Sequence, residues 1–552
     1  MIERFLDKTS FDSQQDYYNN FKINVPENFN FGYDIIDEWA KKDPKKIALL
    51  WLNEEGEEKQ FTFQDMKEQS DKAASFFKSL GVKRGDMVML ILQRRYEFWI
   101  SMVALHKLGA TAIPATHLLT KKDIVYRNNA ADIKMIISSN KQSIIDAVDA
   151  SETESPTLKI KACLEGVHEG WHNFTEGVKN AEPMPRPTGD EHSQNSDILL
   201  MYFTSGTTGL PKMVAHDFSY PLGHIITASY WQCIDETSIH LTVADTGWAK
   251  CAWGKLYGQW IAGSTNFVYD HERFNADTLL SIISKYKLTS FCAPPTVYRF
   301  FIKEDLTKYD FSNLKHLSCA GEPLNPEVSN QVMDKLGLTI YDGFGQTETT
   351  CIICNTRWIT PRPGSMGMPS PHFNADIINE DGESCEVGEI GEIAIRTPNG
   401  TKPAGLFCEY YRAKDLTDEA WYDDIYHTGD LAWKDEDGFF WFEGRKDDII
   451  KSSGYRIGPF EVESAMIEHA SVIECAITAV PDPDRGQIVK ATVVLANGYT
   501  PSDELIKELQ DHVKRVTAPY KYPRIIDFVD ELPKTISGKI KRKQIREEGH
   551  NK

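Results

Sequence analysis

Short apolar runs alternate with longer stretches of helical periodicity along this chain, the pattern of an α/β protein. Met87-Val-Met-Leu-Ile-Leu92 is apolar at every position and predicts a buried strand, and Phe98 to Leu108 predicts the helix that follows it. Thr62 with Asp65 has the spacing of a helix start, and Gly81 sits where that helix would stop. Ile198-Leu-Leu-Met-Tyr-Phe203 predicts another buried run, entered through a polar connector rich in Pro, Asp and Ser from Pro183 to Asp197. Met213-Val-Ala-His216 continues as strand rather than opening a helix. Gly388-Glu-Ile-Gly-Glu-Ile-Ala-Ile395 and Gly438-Phe-Phe-Trp-Phe442 predict short strands in an antiparallel, barrel-like section. Past residue 445 comes a tail of about a hundred residues, the size of one domain. Its best helix starts near Ser502 and sets Leu505, Leu509 and Val513 on one face.

Composition mainly excludes. Apolar residues make up 41% of the 552, enough for sizeable cores. That length suggests about three to four units. A net charge of −20 argues against nucleic acid or an anionic membrane as a general partner. No run of about 18 apolar residues occurs, so no transmembrane helix is expected. The start, Met1-Ile-Glu-Arg-Phe-Leu-Asp7, lacks the apolar core of a signal peptide and the acid-free character of an organelle presequence. Ten scattered cysteines suit a reducing compartment, and a cytoplasmic protein is the expectation. Cys351-Ile-Ile-Cys354 has no second pair and encloses two isoleucines, so a buried strand is expected there before zinc or redox chemistry.

Chemistry concentrates first in Thr204-Ser-Gly-Thr-Thr-Gly-Leu-Pro-Lys212, which follows the 198–203 run directly. Glycine lets a backbone approach a ligand, and successive N–H groups make an anion-binding nest. The hydroxyls of Thr204, Ser205, Thr207 and Thr208, with Gly206, Gly209 and the Lys212 ammonium, complete a cradle for polyphosphate. Walker A spacing is absent, so the grip is not that of a GTPase or kinase. An ordinary polar hairpin tip is the alternative.

Further motifs follow in order. Tyr341-Asp-Gly-Phe-Gly-Gln-Thr-Glu348 ends in a hydroxyl, suited to a phosphate oxygen, and a carboxylate, suited to Mg²⁺ bridging phosphates. Phe344 offers a flat face for a purine. Tyr426-His-Thr-Gly-Asp430 sets an aspartate after a glycine turn, where it can accept from both ribose hydroxyls. Gly444-Arg-Lys-Asp-Asp-Ile-Ile-Lys451 places charges at the expected domain edge, and Pro533-Lys-Thr-Ile-Ser-Gly-Lys539 presents an ammonium on a glycine-hinged loop. Each alone reads equally well as a turn or a solvated charge; their joint occurrence in one order does not.

In that order the segments resemble the core motifs of the acyl-adenylate-forming superfamily, which includes acyl-CoA synthetases, luciferases and the adenylation domains of peptide synthetases. The resemblance runs from about residue 30 to 545. Ala244-Asp-Thr-Gly-Trp-Ala-Lys250 is similar to the medium-chain acyl-CoA synthetase branch, and Gly321-Glu-Pro323 to the superfamily's nucleotide-site loop. The resemblance implies a large N-terminal domain of α/β subdomains plus a barrel-like β subdomain, residues 1–445, that binds AMP and the acyl group. It implies a small mobile α+β lid, residues 446–552. The implied reaction has two steps: a carboxylate attacks the α-phosphorus of MgATP to give acyl-AMP and pyrophosphate, then the CoA thiol displaces AMP.

Residue by residue, Lys539 matches the terminal catalytic position, with Thr347 and Glu348 as its partners in catalysis and Glu348 as the Mg²⁺ ligand. The 204–209 segment, Lys212 and Arg456 match the phosphate site. Gly321, Glu322, Asp342, Phe344, Asp430 and Arg445 match the adenine and ribose site. Asp447 matches the hinge, and Gly454 and Trp248 the CoA tunnel. The acyl pocket matches Trp248, Ala249, Lys250, Trp253, Ala320 and Gly345. In the related acetyl-CoA synthetases a tryptophan stands at the position of Gly345 and floors a short pocket. Hydrogen in place of an indole, with small Ala249 and Ala320, implies a longer, branched or aromatic acid, although Lys250 and Trp253 are large enough to refill part of the space. Which basic residues meet the CoA 3′-phosphate is open, with Arg94, Arg95 and Arg485 as weak candidates. The expected partners are ATP, CoA and a small carboxylic acid, taken by a monomer or homodimer. A stand-alone enzyme loading a carrier protein in trans is the alternative; a luciferase-like oxidative enzyme and a silent acyl-nucleotide sensor are weaker ones.

Overall fold

The computed structural model describes residues 1–204, 210–453, 455–534 and 540–549. Its first sheet is parallel at the centre because its strands are apolar on both faces. Met87–Ile91 is buried at all five positions and pairs in parallel with Thr111–Pro114 on one side and Met135–Ser138 on the other. Ile198–Thr204 lies parallel to Thr111–Pro114 but antiparallel to Lys212–Asp217, which pairs in turn with Glu409–Tyr410.

Helices cover these sheets. The capping box expected at Thr62 and Asp65 is formed, and it opens the helix Phe63–Ser79. Gly81, with φ +97°, follows the end of that helix in a backbone shape that favours glycine. The helix Glu97–Leu108 is buried at every position, as expected of a helix without a polar stripe.

A second sheet has a parallel central run, with the antiparallel strand Glu58–Thr62 at one edge, and changes direction at Ile340–Phe344. That strand is parallel to His316–Cys319 and antiparallel to Ile353–Cys354. The antiparallel section continues through Ser365–Pro369, Phe440–Arg445, Ile425–Lys434, Gly391–Arg396 and Ala375–Ile378. Both Ile198–Thr204 and Ile340–Phe344 are therefore places where parallel pairing gives way to antiparallel pairing. The two motif-bearing segments follow the carboxyl ends of these strands, the side on which open α/β sheets bind ligands.

Past Gly444 the chain builds a five-stranded sheet with its own apolar core, including Ile450, Val462, Ile477 and Val493. The helix Asp503–Val516 is capped by Ser502, whose hydroxyl accepts from the Leu505 N–H, and buries Leu505, Leu509 and Val513. This unit meets the rest through the Asn325 amide on the Ser464 carbonyl at 3.3 Å, and the Gly458 N–H on Glu443 at 3.2 Å.

Candidate active site

The two motif-bearing segments are tied to each other. His216, on Lys212–Asp217, donates from Nε2 to the Thr347 carbonyl at 2.8 Å. Burial pushes this imidazole down to about 3, so it is neutral. The Phe407 N–H donates to the Glu348 carbonyl at 2.8 Å. Thr347 and Glu348 are thus held by their backbones, with half-buried side chains.

Glu348 accepts from the Tyr410 hydroxyl at 2.8 Å, and Lys212 stands 4.7 Å from the centre of the same tyrosine ring. Thr204 and Lys212 face each other across the hairpin. Ser205, Gly206, Thr207, Thr208 and Gly209 lie outside the described residues, as do Gly454 and Lys539. The side chain of Arg456 is likewise outside them. Lys534 and Ile540, which flank the segment containing Lys539, form an isolated antiparallel bridge. The helix beyond it is anchored by Arg542, which donates to both Glu463 oxygens at 2.8 Å.

Asp430 and Arg445 are cross-strand partners, 3.4 Å apart at their charged ends. The Gln346 amide completes the arrangement: Nε2 donates to Asp430 at 2.5 Å and to the Thr428 carbonyl at 2.8 Å, while Oε1 accepts from the Tyr426 hydroxyl at 2.7 Å. With donors and acceptor all engaged, the amide can point only one way. Gln346 and Tyr426 sat inside motifs whose other residues drew attention. Tyr410 lies on the two-residue strand Glu409–Tyr410 and carries no motif signal.

The Asp342 side chain is buried and accepts from the Gly343 N–H at 2.9 Å. Burial pushes its carboxyl up to about 8, with the Gly343 and Leu324 N–H groups and Lys250 opposing. Glu322 is half-buried and engaged by Thr296 at 3.3 Å and Arg299 at 3.7 Å. Gly321, beside it, has φ +105°. Phe344 is half-buried and packs 6.3 Å from Phe442.

At the acyl end Gly345 does not stand over open space. A Cβ there would collide with the Trp253 indole and with the Thr350 carbonyl. Trp253 is locked by its Nε1–H on the Thr349 carbonyl at 3.2 Å. An indole thus occupies the place the sequence had emptied, brought by a different element, the helix Ala249–Gly254. Lys250 reaches back to the Ala320 carbonyl at 2.6 Å. The loop that presents Trp248 is fixed by Arg94 on Asp245 at 3.1 Å and Lys255 on the Ala244 carbonyl at 2.5 Å. Arg94 and Arg95 are therefore committed, the latter to Glu97 and Glu165. Arg485 donates to Ser453 at 3.2 Å.

Asp447 is exposed and 3.6 Å from Arg445. Cys351 and Cys354 are buried, and no cluster of three metal-ligating side chains occurs among the described residues. No helix among them is long and apolar enough to cross a membrane.

The model of the AMP-binding enzyme family matches residues 36–403, and that of the AMP-binding enzyme C-terminal domain residues 461–539. The chain belongs to this family. Human mitochondrial acyl-coenzyme A synthetase ACSM3 is 42% identical over 548 residues, spanning 97% of this chain and 92% of that protein. Mouse mitochondrial acyl-coenzyme A synthetase ACSM4 is 43% identical over 538 residues, spanning 95% and 91%. Among solved structures, the anthranilate CoA ligase AuaEII in complex with anthranoyl-AMP superposes with a TM-score of 0.85 at 28% identity, covering 95% of this chain and 98% of that one. The Brucella canis acyl-CoA synthetase does so at 0.74 and 30%, covering 98% and 99%. The protein is an AMP-forming acyl-CoA synthetase, an acid–thiol ligase of the medium-chain branch of the acyl-adenylate-forming superfamily. The cytoplasmic expectation is overturned, because these synthetase relatives are named as mitochondrial. Free thiols suit any reducing compartment, so the cysteines of this synthetase could not choose between them.

Proposed function

We propose that this synthetase activates medium-chain, branched or aromatic acids in preference to acetate. Residues 1–445 form the body that makes the adenylate, and residues 446–552 a lid that turns about Asp447 between the half-reactions. The observation that carries the chemistry is the convergence of Glu348, Asp430 and Arg445 through Tyr410, Tyr426 and Gln346. Asp430 and Arg445 hold the ribose and Phe344 the adenine, while Thr204, the 205–209 segment and Lys212 hold the β and γ phosphates. Lys539 brings a cation to the point where carboxylate and α-phosphate, both anions, must meet. Gly454 and Trp248 border the path of the thiol.

The residues suit Mg²⁺. Glu348 has one oxygen on Tyr410, and a lone carboxylate is the usual protein share of a Mg²⁺ that also binds waters and substrate phosphates. Bound there, the ion supplies charge neutralisation for the departing pyrophosphate.

For the acid, small Ala249 and Ala320 leave room, and the similarity to a ligase holding anthranoyl-AMP supports an aromatic substrate. Trp253 sets the far wall. Pyrophosphate release is measured across acids from acetate to decanoate, with branched and aromatic members, with and without CoA, and the products are weighed by mass spectrometry. Acetate as the best substrate overturns the preference, and the absence of a CoA thioester overturns the second half-reaction.

A further inference from the structure

Glu392 belongs to none of the nucleotide motifs, yet its carboxylate joins three of their neighbours. It lies on Gly391–Arg396, and its side chain is only 10% exposed. Oε1 accepts from the Gly429 N–H at 2.8 Å. Oε2 lies 3.2 Å from the Lys446 ammonium and 3.4 Å from His427 Nδ1, and His427 is itself stacked on Tyr422 at 3.9 Å. Gly429 has φ +72°, a shape that favours glycine and turns its N–H and C=O to separate partners. The C=O accepts from the Lys446 N–H at 2.9 Å. Gly429 precedes Asp430, and Lys446 precedes Asp447. One carboxylate thus fastens the ribose turn and the last residue before the hinge into a bonded unit. Burial alone would raise the Glu392 carboxyl, but hydrogen bonds from His427 and Gly429 and the charge of Lys446 outweigh it and hold it at about 2.

We propose that Glu392 is a positioning residue that fixes the stationary side of the lid's pivot. It holds Gly429 and Lys446 to the body, so that rotation begins at Asp447 and leaves Asp430 and Arg445 undisturbed on the ribose. This rests on the reading of Asp430 as ribose ligand and Asp447 as hinge. Lys446 is 62% exposed, so its ion pair is the weaker link and the half-buried Gly429 contact the stronger.

The test compares substitutions by adenylate-forming kinetics and amide hydrogen exchange. Glu392→Ala removes the acceptor of a charge-assisted hydrogen bond and should raise KM for ATP about tenfold with little change in kcat. Amides at 428–430 and 445–447 should exchange faster. Glu392→Gln keeps an acceptor for Gly429, and both it and Lys446→Met should raise KM about threefold or less, as expected for an exposed pair. Asp430→Ala separates the two readings. If it leaves KM for ATP unchanged, the nucleotide assignment fails. If it raises KM while Glu392→Ala alters neither KM nor exchange in the two segments, only the pivot proposal fails. A fall in kcat and melting temperature that Gln does not relieve would mark a merely structural role and overturn the proposal. Should Glu392→Ala not fold, Glu392→Met, which fills similar space without an acceptor, decides: unchanged exchange in both segments overturns it, and faster exchange there supports it.

Discussion

The proposed nucleotide end and the proposed acyl end of this site are built by different physics. At the nucleotide end, Glu348 and Asp430 are each held by hydrogen bonds from residues distant in sequence, Tyr410 in one case and Gln346 in the other. At the acyl end, Gly345, Ala320 and Ala249 contribute absence of bulk, and the shape is decided by where Trp253 lies. Hydrogen-bonded carboxylates have few substitutes, because a buried polar group left unpaired is costly. A wall, by contrast, can be supplied by any element that reaches it. The difference explains why one end announces itself in motifs while the other does not.

The largest effect should come from Lys539, proposed to act where carboxylate and α-phosphate meet. Lys539→Ala should slow carboxylate-dependent pyrophosphate release by ~10²–10³, the scale of losing an electrostatic stabiliser, while thioester formation from supplied acyl-AMP continues. Equal loss of both half-reactions would show that the lysine is not specific to the first. At the nucleotide end, Gln346→Ala leaves the Tyr426 hydroxyl without its partner and Asp430 without an amide donor. KM for ATP should rise by about ten- to thirtyfold, the cost of one or two such contacts. The ranking of acids should not change. Trp253→Ala is the reciprocal experiment: the ranking should move to longer acids by about fourfold in kcat/KM per added methylene, following ~0.8 kcal/mol for each buried group. KM for ATP should be steady, and a coupled change in both parameters would dissolve the distinction between the two ends.

The smallest kinetic effect is expected at Asp342. Asp342→Asn should leave KM for ATP within about twofold, since an isosteric buried amide keeps the contact with the Gly343 N–H. Its signature is in stability. The folded state keeps a proton up to about pH 8 that an ordinary aspartate loses near 3.8. Between those values the unfolded chain binds fewer protons, so the native protein loses stability as pH rises. Asparagine removes that slope, and the variant's melting temperature should gain on the parent's from acid to mildly alkaline buffer. A gain independent of pH would show that the carboxyl is ionised in the fold.

Much of the architecture was legible because local rules and the fold agree. The Thr62–Asp65 capping box, the fully apolar Met87–Ile91 strand and the Leu505, Leu509, Val513 stripe each became what their pattern implied. Asp342 and Asp430 both stand in motifs and are equally buried, so it is their partners that tell them apart: the neighbouring Gly343 N–H for one, Gln346 and Arg445 for the other. Tyr410 was invisible because a tyrosine on a two-residue strand has no pattern, and its meaning comes from Lys212–Asp217 lying beside it.

By itself, the sequence determined the alternation of strand and helix and pointed to the segments and carboxylates proposed to serve the nucleotide. These depend on residue type and near neighbours. Only the tertiary structure decided which tyrosines and amide steady the carboxylates, and that an indole from the helix Ala249–Gly254 closes the gap beside Gly345. Packing in a dense interior is set by side chains far apart along the chain, and no local pattern records which of them will touch.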